Sequence, residues 1–133
     1  MQPERNHATY DYAIIRVVPR VERGEQINVG VIVYCRVLDY LEARIALDRE
    51  RLRALDPAAD VNEIERALAL IPLVASGDAR AGRLAQMTQA ERFHWLTAPR
   101  STIAQTSQVH TGLCADPAGT LEQLMRKMVL PPG

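Results

Sequence analysis

Two runs near the start of the chain, residues 10–18 and 27–35, are dense in Val, Ile and Tyr, and the polar stretch 19–26, containing Gly24, separates them. β-Branched and aromatic side chains suit a pleated, half-buried surface, so the pair is predicted to form adjacent antiparallel strands joined by a hairpin. Under strict alternation Ile27, Val29, Val31, Val33 and Cys35 share one face of the second run, while Asn28, Gly30, Ile32 and Tyr34 occupy the other. Both faces carry apolar groups, which predicts a central strand. The run 40–48 alternates more plainly: Leu41, Ala43, Ile45 and Leu47 point one way, and Tyr40, Glu42, Arg44 and Ala46 the other. That is the pattern of a strand with one wet face. With residues 36–39 as a second turn, the first third of the chain reads as a three-stranded meander.

Beyond Asp48 the period lengthens. Leu52 and Leu55 stand at helical spacing before Asp56 and Pro57 interrupt them, and Asp60 is placed to cap a second helix whose Ile64, Leu68 and Ile71 repeat on one side. Pro72 is predicted to kink or end that helix, and residues 76–82 read as a loop. Thr88 followed by Glu91 fits a capping box opening a short helix over 89–96, with Pro99 beyond it. Residues 101–109 have the alternating character of one more strand, and Asp116–Pro117 signals a helix carrying 121–129. The expected fold is α+β: an antiparallel sheet of about four strands, the meander plus a later one, with helices mainly on one face.

Length and composition are consistent with this. The 133 residues suit a single domain over 1–133, and 47% hydrophobic with 24% charged residues is the balance of a folded, water-exposed protein. Sixteen basic and sixteen acidic side chains cancel, which argues against non-specific attraction to nucleic acid or an anionic membrane. Lys127 is the only lysine. An arginine-rich chain suits forked recognition of carboxylate or phosphate, and is equally what a GC-rich genome encodes. Cys35 and Cys114 lack the paired spacing of a zinc or dithiol site and read as reduced, buried, small apolar residues. The N-terminal residues lack the plan of a secretion signal, and the longest apolar stretch, 67–75, is interrupted by Pro72. A cytoplasmic location is expected, with no membrane partner.

The chemistry gathers in residues 91–116, ERFHWLTAPRSTIAQTSQVHTGLCAD, which hold two of the three histidines and the only Trp and Phe. One reading is an anion or phosphate site in which Arg92 and Arg100 are forked donors, Ser101 a hydroxyl donor, and His94 and His110 proton-transfer groups. The other is structural: Phe93 and Trp95 anchor a helix, Arg100 satisfies backbone carbonyls, and the histidines are half-buried hydrogen-bonding residues. A second polar group, Arg20, Arg23, Glu25 and Asn28, marks the first hairpin, either as a solvated turn or as a binding edge. Gly24 is predicted to take the positive φ of that turn, and Gly30 to admit another backbone or a ligand close to the central strand. No phosphate-cradling glycine loop, nucleophile elbow or metalloprotease motif is present, and no metal or other cofactor is expected.

The segments YDYAIIRVVPRVERGEQINVGVIVYC and RFHWLTAPRSTIAQTSQVHTGLCADP resemble the bacterial family catalogued as domain of unknown function 3037, over about residues 10–129. The resemblance maps onto Arg23, Gly24, Glu25, Asn28 and Gly30 in the first block. In the second it maps onto Arg92, His94, Trp95, Pro99, Arg100, Ser101, Gln105, His110, Gly112, Asp116 and Pro117. It implies no established activity; some members are encoded beside HipA-type kinases, which implies a partner or regulatory role. Three functional expectations follow. The first is a binding or regulatory protein whose polar blocks meet, with Arg23, Asn28, Arg92, Arg100 and Gln105 holding a protein partner, such as a HipA-type kinase, or a small phosphate-bearing ligand. The second is a metal-independent hydrolase or phosphoryl-transfer enzyme with His94 and His110 as acid and base, Arg100 steadying negative charge and Ser101 as a further candidate. The third is an obligate homodimer in which the polar blocks only fix the fold.

Overall fold

The computed structural model of the chain describes residues 7–100 and 102–131. Its sheet is antiparallel and is organised around β1 (Ala8–Val17). β2 (Ile27–Cys35) pairs with one edge of β1, and β3 (Tyr40–Ile45) continues from β2, giving the meander that the alternation predicts. Gly24, at φ 71, sits in the first connection, and Asp39, at φ 55, ends the second.

The other edge of β1 is shared by β4 (Ala104–Thr106) and β5 (His110–Cys114). The single strand predicted over 101–109 therefore starts later, runs further and is broken, making five strands rather than four. The break is a bulge. Ile15 faces Thr106 and Tyr12 faces His110, so three residues, Ser107 to Val109, oppose the two residues Ala13 and Ile14. Ser107 closes the gap: its N–H donates to the Ile14 carbonyl at 2.8 Å, and its Oγ accepts the Ile14 N–H at 2.9 Å while donating to the Gln108 carbonyl at 2.8 Å. A hydroxyl thus stands in for a main-chain carbonyl at a buried point of the ladder.

A second bulge corrects the face assignment of β2. Ile15 faces Gly30 but Arg16 faces Asn28, so Val29 is the extra residue. Ile27, Val29, Ile32 and Tyr34 consequently look toward one layer of helices, whereas Val31, Val33 and Cys35 look toward the other side. The five residues predicted to share a face are split, because one inserted residue reverses a period-two pattern beyond it. Gly30 lies at this bulge, where a Cβ would stand 2.3 Å from the Arg44 carbonyl oxygen of β3. The close approach predicted for Gly30 is therefore to another backbone.

Three α-helices cover the first face: α1 (Arg49–Leu55), α2 (Val61–Ser76) and α3 (Gln89–Thr97), with a 3₁₀ segment, Ala79–Gln86, between the last two. Leu52, Ile64, Leu68, Val74, Phe93 and Leu96 pack there on Ile15, Val17, Ile27 and Ile32. Asp48 and Asp60 cap α1 and α2 through backbone N–H groups three residues on, each at 3.1 Å. Pro72 does not end α2, which continues to Ser76 and closes at Gly77 in the left-handed conformation, φ 74. Thr88 and Glu91 form the reciprocal capping box, at 3.1 and 3.0 Å.

On the second face α4 (Pro117–Met128) lies over Val31 and Val33 through Leu121, Leu124, Met125 and Val129. Arg44 of β3 pairs with Glu122 of α4. Cys35 and Cys114 are both free and buried, and burial pushes the Cys114 thiol up, which makes it a poor nucleophile. No described helix is long and apolar enough to cross a membrane.

Two stability predictions follow from these contacts. Ser107→Ala removes both side-chain hydrogen bonds and strands the buried Ile14 N–H, and should lower unfolding free energy by about 1–3 kcal/mol in urea titration. Asp78 accepts from the Arg80 guanidinium and from its backbone N–H at the start of the 3₁₀ segment, and these bonds lower its pKa from 3.8 to about 2. A depressed folded-state pKa means the stabilisation is complete above the unfolded value and is lost as pH falls through the folded one. The melting-temperature gap between wild type and Asp78→Ala should therefore be full at pH 6 and close as the pH falls from 3.8 to about 2.

Candidate functional site

The sheet divides the predicted site residues between its two faces. His94, on α3, is exposed and lines a shallow depression with Met87, Ala90, Trp95 and Ala98 on the α2–α3 side. His110, on β5, pairs across the strand with Tyr12, their ring centroids 5.2 Å apart, on the α4 side. With the sheet between them, the two imidazoles do not serve one substrate as acid and base. Ser101 lies outside the described residues.

Arg92 is buried, at 8% exposure, and its guanidinium donates to the Met87 carbonyl at 2.6 Å and the Ala75 carbonyl at 3.4 Å. The fork lies against Gly77, where a Cβ would come within 3.3 Å of the guanidinium carbon. It satisfies the Ala75 carbonyl near the C-terminal end of α2, where the helix dipole favours a cation, and the Met87 carbonyl just after the 3₁₀ segment, and so ties α2, the 3₁₀ segment and α3 together. The charge is used internally.

Arg23 is a solvated turn residue, bonded to Glu25 at 2.6 Å. Asn28 looks the other way: its Nδ2 donates to the Met128 carbonyl at 3.0 Å, anchoring the last turn of α4, and its Oδ1 accepts from the Arg16 Nε at 3.3 Å. Gln105 faces Arg16 from β4, and its Nε2 donates to the Thr102 carbonyl at 2.8 Å. Asn28 and Gln105 thus flank Arg16 on adjacent strands. Sequence reasoning overlooked Arg16, although a single cation in the apolar run YAIIRVV is a visible signal.

Arg100 stands apart from all of these. Its guanidinium carbon lies 4.1 Å from the Trp95 ring centroid, and it donates to the Trp95 carbonyl. A cation held over an indole is favourable by about 0.5–1 kcal/mol where exposed. Trp95 and Arg100 form one wall of a cavity of about 260 Å³ whose other walls are Leu70 and Ile71 of α2 and the residues of β4. A second cavity of about 380 Å³ continues it toward Glu63 and Ile103, with Ala67, Thr102 and Ala104 common to both. Together they make an apolar groove along α2 with Arg100 near one end and Glu63 at the other. Its floor includes β4, which among the described residues pairs only with β1. The family model described as a protein of unknown function, DUF3037, matches residues 12–129, which span all of these elements except the start of β1.

The chain belongs to the DUF3037 family. No curated protein and no solved structure gives a match to it. Within this DUF3037 chain, the second sequence block that carried the resemblance is spread over α3, the groove, β4 and β5 rather than gathered into one pocket.

Arg92 provides a direct check on the division between internal and external polar groups. Arg92→Met should cost about 1–3 kcal/mol in thermal or denaturant unfolding by leaving two buried carbonyls unpaired, and Arg92→Lys should not restore it, since a single ammonium cannot span both acceptors.

Proposed function

We propose that this DUF3037 protein acts by binding, taking an extended segment of a protein partner into the groove between α2, α3 and β4. The observation that carries the reading is the coincidence of the apolar groove with the outer edge of β4, beside which no further strand lies among the described residues, although the Ala104 carbonyl there accepts the Thr102 hydroxyl at 2.8 Å. An extended segment laid there gains main-chain hydrogen bonds from the edge and side-chain contacts from the groove, which is how sheet edges recognise peptides. Leu70 and Ile103, each 37% exposed, supply apolar surface along it. Arg100 and Glu63 at opposite ends would orient a segment carrying charges of both signs. Such recognition needs no steering field and accords with a net charge of zero. The partner role that the family resemblance implies makes a HipA-type kinase the first partner to try.

Trp95 is the only tryptophan, so its emission reports on the groove directly. Titration with the partner should shift that emission to the blue as water leaves the indole. Ala67 is exposed on α2 and lines both cavities, so Ala67→Arg should weaken binding tenfold or more, about 1.4 kcal/mol, at an unchanged melting temperature. Binding that neither moves Trp95 emission nor responds to Ala67→Arg would place the partner elsewhere and end the proposal.

A further inference from the structure

The α4 side of the sheet carries a second surface, independent of the groove. α4 packs over β2 and β3, and Tyr10 and Tyr12 of β1 lie half-buried at the margin of its cluster. With half-buried His110 of β5 they make a group of three rings. Tyr10 and Tyr12, alternate residues of β1, have centroids 5.8 Å apart and an interplanar angle of 27°, and Tyr12 meets His110 at 5.2 Å and 31°. Tyr10 can lie down on the sheet because its partner in register is Gly112, where a Cβ would stand 2.8 Å from the Tyr10 ring. Tyr10 and Tyr12 are thus stacked, and His110 is tilted against Tyr12.

The same face of β1 continues through Ile14 to Arg16, between Asn28 and Gln105. Asn28 binds the Met128 carbonyl, which brings the last turn of α4, with Arg126 and Lys127, to this end of the row. None of the ion pairs among the described residues engages Arg16, Arg126 or Lys127. A half-exposed aromatic row that ends in cations outside these ion pairs and in side-chain amides is complementary to a chain of planar bases on an anionic backbone. We infer that this face binds a short single-stranded nucleic acid, with bases stacked on Tyr10, Tyr12 and His110 and phosphates held by Arg16 and the last turn of α4. Stacking on aromatic side chains is the usual means of holding unpaired bases on an open sheet. The neutral net charge excludes a field-driven interaction, not one built on ring contacts and a local cation cluster.

The test uses the full chain and a labelled mixed-sequence oligonucleotide of about eight nucleotides, within the roughly 4–16 that single-strand-binding folds cover. Fluorescence anisotropy should show binding to the single strand and at least tenfold weaker binding to the same sequence as a duplex, whose base faces are hidden. Tyr12→Ala and His110→Ala should each weaken binding roughly 5- to 150-fold, while Tyr12→Phe, which keeps the ring, should remain within about threefold of wild type. The logarithmic salt slope should be near −2, about 0.7 per neutralised phosphate, and should shrink in Arg16→Gln. A neutral glucose oligomer is the control for a sugar-stacking platform. Equal affinity for duplex, binding of the sugar in place of the oligonucleotide, or wild-type affinity in both alanine variants would overturn the inference. Should Tyr12→Ala melt early, His110→Ala on the edge strand decides the matter alone.

Discussion

The backbone of β1 is the constraint on which the rest depends. It runs through the middle of the sheet, and Ala13, Ile15 and Val17 on it are completely buried, so its N–H and C=O groups have no access to water. β2 satisfies one edge. The other edge is satisfied by two short strands and, where they fail to join, by the hydroxyl of Ser107. Each later feature takes its position from that arrangement: β4 brings Trp95 and Arg100 to the sheet margin through the connection it follows, and β5 sets His110 beside Tyr12.

The two faces of this sheet are chemically different. The α2–α3 side is aliphatic, closed by Leu, Ile and Phe side chains, and the groove above β4 opens on it. The α4 side has a smaller core, bordered by a half-buried row of tyrosine, histidine and arginine. The two proposed surfaces lie on separate faces and share no side chain. That separation accounts for the absence of a single convergent site, since residues alternating along β1 and β5 necessarily diverge.

Arginine is put to three distinct uses. Arg92 is an internal strut between the end of α2 and Met87, Arg100 is a lid on an indole, and Arg16 is bonded to the Asn28 amide with Gln105 opposite it in register. The sequence presents all three as forked cations amid mixed neighbours. What separates them is burial and partner, and both depend on segments remote along the chain: Met87 and Ala75 for Arg92, Asn28 and Gln105 for Arg16.

Local pattern was sufficient for much of the fold. The three-stranded meander, the aspartate caps of α1 and α2, the Thr88–Glu91 box and the proline start of α4 all depend on residues within a few positions of one another, so short-range chemistry alone specifies them. Pro72 inside α2 escaped that logic, because packing of Ile64, Leu68 and Val74 carries the helix past a missing hydrogen bond. The two bulges, the split of the last edge strand and the separation of His94 from His110 were beyond it altogether. A bulge is defined by two strands together, and one extra residue on either reverses every side chain that follows. Sequence order therefore determined which elements form and which chemical groups they carry. Only the pairing of distant strands decided which face each group occupies, and hence which groups can act on the same molecule.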